Sequence, residues 1–356
     1  MSTQPIIDFI REQFQTSDFI PLHAPVFQGK EKDYLLDTIE STFVSSVGAY
    51  VDRVEEKMQA LTITPKAVAV VNGTAALQVA LRLAGVKAGE EVLTQALTFV
   101  ATANAIAYNH AHPVFVDVDR DTMGLSPEAL SAFLNTHAEK RAGGTFNKVT
   151  DRRIAACLPM HTFGLMCRIE EIASICADWN IPLVEDAAEA LSSTYHGKPA
   201  GNFGLLGTFS FNGNKIVTCG GGGAIVSNDV EMGKRGKYLT TTAKVPHAWE
   251  DVHDELGYNF RMPNLNAALA CAQLEQLDNF IEQKRKLFER YTSFFADGAI
   301  QLKQPLPNTE SNHWLIALEL PNRASRDAFL QATNAAGIMT RPIWQLMYKL
   351  PMYKDC

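Results

Sequence analysis

The sequence predicts an α/β protein: a mainly parallel sheet with helices on both faces, followed by a smaller α+β unit. Three observations predict it. From about residue 66, short apolar runs alternate with stretches of helical periodicity about 10–15 residues long, the pattern of strands joined by crossover helices. Past about residue 235 that alternation stops and a long helical stretch begins. The 356 residues are enough for one large and one smaller unit. The division is expected at 1–235 and 236–356, with no linker composition to mark it.

Taken in order, KAVAVV (66–71) reads as a buried strand, and GTAALQVALRLAG follows with Leu77, Ala80, Leu81 and Ala84 at helical spacing. EEVLTQ is a short strand, TFVATANAIAYN a helix and PVFVDVD a strand. SPEALSAFLNTH begins a helix with Ser126 as N-cap and Pro127 at the first helical position. RAGGTFNKVTDRR (141–153) reads as a polar surface segment. RIAACLPM is a strand, RIEEIASICADWN a helix and IPLVEDAA a strand, and GTFSFN and GGGAIVSN are strands again. LNAALACAQLEQLDNFIEQKRKLFERYTSFF is a long helical stretch, and HWLIALEL belongs to the second unit.

Composition narrows the function. Hydrophobic residues make up 46% and charged residues 20%, ordinary for a globular enzyme with a sizeable core. The net charge of −7 argues against a dedicated nucleic-acid binder, which needs a basic surface. The six cysteines form no C-x-x-C pair, so neither a zinc site nor a redox dithiol is suggested, and free buried thiols in a reducing cytoplasm are expected. The charged N-terminus does not resemble a signal peptide, and no apolar run approaches the roughly 20 residues that span a bilayer. His110 and His112 could pair on a metal but lack carboxylate or thiolate company, and CGGGGA stands between two strands without opening a helix, so it is no dinucleotide loop.

Three constellations carry chemistry. In VVNGTAAL, Asn72-Gly73-Thr74 joins a strand to a helix; this is a phosphate site or simply a turn and cap. In PLVEDAAEAL, Glu185 and Asp186 end an apolar strand, where ligands of open parallel sheets bind. A carboxylate there can hold a pyridinium N–H, or serve as a cap or surface ion pair. In FSFNGNKIVTCGGGG, Lys215 lies between the strand carrying Ser210 and four glycines, Gly220 to Gly223. A lone lysine is ordinarily a solvated surface residue. Beside so much backbone freedom and apolar surface it becomes a candidate nucleophile and base.

Together the three signals meet the needs of pyridoxal 5′-phosphate: a phosphate cradle, an acid for the ring nitrogen and a Schiff-base lysine. Here the chain resembles the DegT/StrS-type family of PLP-dependent nucleotide-sugar aminotransferases. The likeness runs from PLHAPVFQGKEKDYL through NGTAAL, TFVATANAIAYNHAHPVFVDVD, MHTFG, VEDAAEAL, TFSFNGNKIVTCGGGG and ELGYNFRMPNLNAALACAQLE to GIMTRPIW. It implies PLP fold type I, the aspartate-aminotransferase architecture, with a sheet of the seven-stranded type. It also implies catalytic roles for Lys215, Asp186, Glu189 and His161. Lys215 would carry the cofactor and Asp186 would meet the pyridinium nitrogen. Gly73, Thr74 and Ser210 would hold the phosphate, and Phe99 would stack on the ring. Glu189 would stand near the cofactor's 3-oxygen, where the family often has Gln or His, so it departs in charge. His161 of MHTFG would lie close to the pocket. Asn259 of GYNFRM would reach the phosphate of the neighbouring subunit, which implies a homodimer with composite sites.

The reaction implied is a ping-pong transamination from L-glutamate to a nucleotide-linked keto-deoxy sugar, with no nucleic acid or membrane partner. FVSSVGAYV, the insertion before MHTFG, and TTAKVPH look most like the branch acting on 4-keto-6-deoxy sugars in legionaminic- or bacillosamine-type synthesis. Two rivals stand beside it. PLP-dependent deoxysugar dehydratases replace the lysine with histidine, whereas Lys215 is present; a PLP-binding regulator would not need Lys215, Asp186 and Ser210 intact. Relatives continue beyond LPMYKDC, so a C-terminally truncated second unit is expected.

Overall fold

The computed structural model describes residues 3–356. Its centre is a sheet in two hydrogen-bonded parts. One runs in the order Lys66–Val70, Gly223–Ser227, Leu206–Ser210, Val184–Asp186; the other begins His112–Val116, Glu91–Gln95, Arg153–Leu158. Parallel bridges Cys157–Leu183 and Met160–Asp186 join them into one seven-stranded surface. Only Gly223–Ser227 runs against the rest, pairing antiparallel with both its neighbours.

The alternation of side chains explains the burial on two faces. Val68 and Val70 point into a cluster with Leu77, Leu81, Ile106 and Ile225, while Ala67 and Ala69 point into another with Val54, Met58, Phe209 and Val226. The helices that cover these faces start where capping chemistry allows. Asn72 Oδ1 accepts the N–H of Ala75 ahead of helix Gly73–Leu83, and Ser126 Oγ accepts that of Ala129 ahead of Pro127–His137.

Three segments gain detail in the structure, and one expectation needs correction. The polar segment at 141–153 is largely exposed and is built partly as a hairpin: Ala138–Arg141 and Gly144–Asn147 pair on the Arg153–Leu158 strand. Buried Glu91 takes its donors from this segment, at 2.9 Å from Asn147 Nδ2 and 2.7 Å from Thr150 Oγ1. The long helical stretch is two helices, Asn264–Leu274 and Leu277–Phe295, broken with neither glycine nor proline at the joint. Of HWLIALEL only Leu318–Glu319 is strand, paired with Gln301–Leu302.

A break at residue 235 also cuts across the packing. Ile6 and Ile10 of the N-terminal helix Gln4–Phe14 share a cluster with Tyr291, Phe295, Phe329 and Ile338, so the chain's start packs with its C-terminal part. Conversely Ala267, Cys271 and Leu274 belong to the large core. Five cysteines are free and buried, and Cys356 is free and exposed. Among the described residues no group of His, Cys, Asp and Glu is placed to hold a metal, and no helix is long and apolar enough to cross a membrane.

Candidate active site

Strand register assembles the site. Val70, Gly223 and Ser210 lie in one row across the sheet, and Asp186 pairs with Thr208 one step along. Val70, Ser210 and Asp186 are the carboxyl ends of parallel strands, and Gly223 opens the one antiparallel strand beside them. A cavity of about 1300 Å³ opens there, lined among others by Gly73, Thr74, Phe99, Asp186, Glu189, Ser210 and Lys215. The structure thus brings together seven of the nine residues singled out from sequence.

Asn72 spends its side chain on the cap, leaving the first N–H groups of helix Gly73–Leu83 directed at the cavity. Gly73 is there because nothing larger fits: a Cβ would lie 2.7 Å from the Ser210 Cβ. From below, Gly223 closes on the same turn, where a Cβ would meet the Phe209 carbonyl oxygen at 2.6 Å and the Gly73 nitrogen at 2.8 Å. Gly220 supplies a positive φ of 78°. The glycine run therefore supports the anion cradle by close backbone approach and bends the chain next to Lys215.

Asp186 is 2% exposed and accepts 2.7 Å from Thr102 Oγ1 and 3.2 Å from the Ala188 N–H. Burial pushes its carboxyl pKa up, and these neutral donors only partly oppose that. Among the described residues it forms no ion pair, so a cationic N–H in the cavity is what this acid lacks. Glu189, also buried, accepts 3.0 Å from Lys215 Nζ and 2.9 Å from the Phe163 N–H. Burial raises its carboxyl too, with the Lys215 charge pulling the other way. Lys215 stands over the Trp314 ring at 4.1 Å from its centroid.

Pyridoxal phosphate fits these residues. A buried, half-satisfied acid suits a ring N–H, and an anion cradle too tight for any Cβ suits a phosphate. A primary amine between them suits the aldehyde carbon. Phe99, 47% exposed at the cavity wall, presents an aromatic ring there beside Trp344.

Two expected residues are not in this constellation. His161 does not line the cavity: it is 0% exposed, its Nε2 lies 3.1 Å from Glu185 Oε2, and its Nδ1 accepts from the Cys167 N–H at 3.4 Å. Burial lowers its pKa, while Cys167 and Glu185 beside it pull the other way. Both ring nitrogens are spent on structure, which corrects the direct catalytic role. Glu185 is structural as well, accepting the N–H groups of Gly201, Phe203 and Gly204. Asn259 is exposed, outside its own chain's cavity, with its Oδ1 accepting from Arg261. Thr102 and Trp314 were missed. Thr102 lies three residues beyond Phe99 in TFVATAN and was readable as one turn of the same helix; Trp314 comes from far along the chain and gave no local signal.

Comparison with known proteins agrees with this geometry. Residues 26–356 match the model of the DegT/DnrJ/EryC1/StrS aminotransferase family. EpsN of Bacillus subtilis (strain 168), which bears the name of a pyridoxal phosphate-dependent aminotransferase, is 38% identical over 336 residues, 94% of this chain and 84% of that protein. GDP-perosamine synthase of Escherichia coli O157:H7 is 33% identical over 339 residues, 95% of this chain and 88% of that one. The crystal structure of the aminotransferase TlmJ from Streptoalloteichus hindustanus superposes with a TM-score of 0.85 at 25% identity, covering 94% of this chain and 88% of that chain. The chain belongs to the DegT/DnrJ/EryC1/StrS aminotransferase family and is a pyridoxal phosphate-dependent transaminase of fold type I.

Proposed function

We propose that the protein transfers an amino group from L-glutamate to a nucleotide-linked keto-deoxy sugar, of the 4-keto-6-deoxy kind, in amino-sugar biosynthesis. The observation that carries this reading is the size and lining of the cavity. At about 1300 Å³ it exceeds what a cofactor alone fills, and beyond Lys215 its wall changes character. Arg120, Lys303, Arg326 and Arg341 bring cations suited to a diphosphate, while Phe329 and Trp344 offer apolar surface suited to a sugar methyl or a base. Arg120 and Lys303 share Glu319, and among the described residues Arg341 makes no ion pair. Relatives named as makers of GDP-perosamine, a GDP-linked product, support a nucleotide-linked acceptor.

When bound, pyridoxal phosphate supplies an aldehyde carbon that exchanges amino groups and a ring that withdraws electrons. The chain's own residues do the rest. Asp186 holds a proton at the ring nitrogen, and Thr102 keeps that carboxylate aimed. Gly73, Thr74 and Ser210 bind the phosphate, and Phe99 covers one ring face and excludes water. Lys215 would hold the cofactor through its amine and would move the proton at the substrate carbon. Glu189 orients the Lys215 amine from one side. Asn259, exposed on its own chain, reaches the phosphate of a second copy, so the working unit is a homodimer with composite sites.

The experiment is amine exchange in two halves. The holoenzyme's aldehyde-form absorbance should bleach with L-glutamate and return with a nucleotide 4-keto-6-deoxy sugar, with the amino sugar identified by mass spectrometry. Bleaching that no keto sugar reverses would reject the acceptor, and indifference to glutamate would reject the donor. Dehydration of the sugar without amination would favour the dehydratase reading.

A further inference from the structure

The free lysine has a second partner besides Glu189. Trp314 is 4% exposed and fixed at three points. Its N–H donates to Asn312 Oδ1 at 2.9 Å, its carbonyl accepts from Lys284 Nζ at 3.0 Å, and its indole Nε1–H donates to the Asn214 carbonyl at 2.6 Å. The last bond ties the ring to the residue before Lys215, so ring and lysine share one frame. The ring face then lies 4.1 Å from Nζ, within the range of a strong cation–π contact. Glu189 accepts from the same amine at 3.0 Å, and its second oxygen is held by the Phe163 N–H. Asn312, two residues before Trp314, donates to the carbonyls of Glu189 and Leu191 at 2.9 and 3.0 Å. One segment of the second unit therefore grips both groups that hold the amine.

We propose that Trp314 is a positioning residue for Lys215: its indole face seats the ε-ammonium whenever residue 215 is not covalently engaged, and so governs how readily Lys215 lets go. This rests on the reading that Lys215 carries the cofactor. In the exchange the donor's nitrogen would bond to the carbon that Lys215 held, the bond from that carbon to the singly protonated Lys215 nitrogen would break, and two protons would pass from the donor's ammonium to Lys215 Nζ, the third staying on the donor nitrogen. The leaving amine is then a cation in a poorly hydrated site. A carboxylate stabilises it but also competes for its proton. An aromatic face stabilises the charge and accepts no proton.

The test begins in cofactor-free protein with Lys215→Met, Trp314→Leu and Trp314→Phe, singly and combined. Trp314→Leu should lower Tm more in the chain with Lys215 than in the Lys215→Met background, by at least about 1 °C. Trp314→Phe, which keeps a ring, should show a smaller coupling. In holoenzyme, α-methyl-L-glutamate, which has no α-proton to lose, is titrated by absorbance. Its apparent Kd should rise about 10-fold in Trp314→Leu and less in Trp314→Phe. Equal Tm losses in both backgrounds would make Trp314 merely structural and overturn the proposal, as would coupling with no change in donor affinity. Borohydride reduction of the same holoenzyme separates the two failures: cofactor trapped on a residue other than 215 sinks the underlying reading, whereas cofactor on 215 with no coupling sinks only the role of Trp314.

Discussion

Asp186 and Glu189 lie within one cavity, and burial raises the pKa of both carboxyls. A raised carboxyl pKa means that the folded chain keeps a proton the unfolded chain has released. Stability therefore falls as pH rises from the ordinary Asp value of 3.8 toward the raised one, and the cost persists at neutral pH. Removing the charge should relieve it. Asp186→Asn is expected to raise the Tm of cofactor-free protein at pH 7 by about 1–3 °C, a gain that shrinks as the pH is lowered, while amine exchange is lost. Calorimetry at two pH values checks the sign. At Gly73 the constraint is steric, because an added Cβ would press on Ser210 at 2.7 Å. Gly73→Ala should weaken cofactor binding at least about 10-fold in an equilibrium titration, with little loss of fold.

Among the elements, the glycine run shows that neighbouring glycines are not interchangeable. Gly223 closes against backbone of two strands' worth of chain, at 2.6 Å from the Phe209 oxygen and 2.8 Å from Gly73 N. Neither neighbour is a flexible side chain, so Gly223→Ala should cost about 1–3 kcal/mol of stability by denaturant titration. Gly213, two residues before Lys215, has nothing within 4 Å, and Gly213→Ala should stay within about 0.5 kcal/mol. The same scale decides what could be read in advance. Lys215, Asp186, Gly73 and Ser210 were legible because each follows or ends a strand whose apolar run is local in sequence. The hairpin at 138–147 was not, since Asn147 at its end serves a buried acid 56 residues away in Glu91. His161 looked like a pocket residue by its motif, yet its environment is set by Glu185 and Cys167, which only the fold brings to it.

For the whole molecule, the N-terminal helix shares one apolar cluster with residues between Tyr291 and Ile338, and the segment around Trp314 reaches Lys215 from that part of the chain. No sequence window contains both, which is why this contact could not be anticipated. The proposed dimer makes a further prediction, because Lys215 and Asn259 of one working site would come from different copies. Lys215→Ala and Asn259→Ala proteins, each impaired alone, should regain about a quarter of wild-type activity when co-refolded in equal amounts, since half the dimers then hold one intact site. Assay of the mixture against its separate components checks it.

The most direct measurement is borohydride reduction of the holoenzyme followed by mass spectrometry of its peptides. The expected result is one reduced phosphopyridoxyl group on Lys215, absent after Lys215→Ala. A group on another lysine, or an unchanged yield in the Lys215→Ala protein, would contradict the assignment on which the site's chemistry depends.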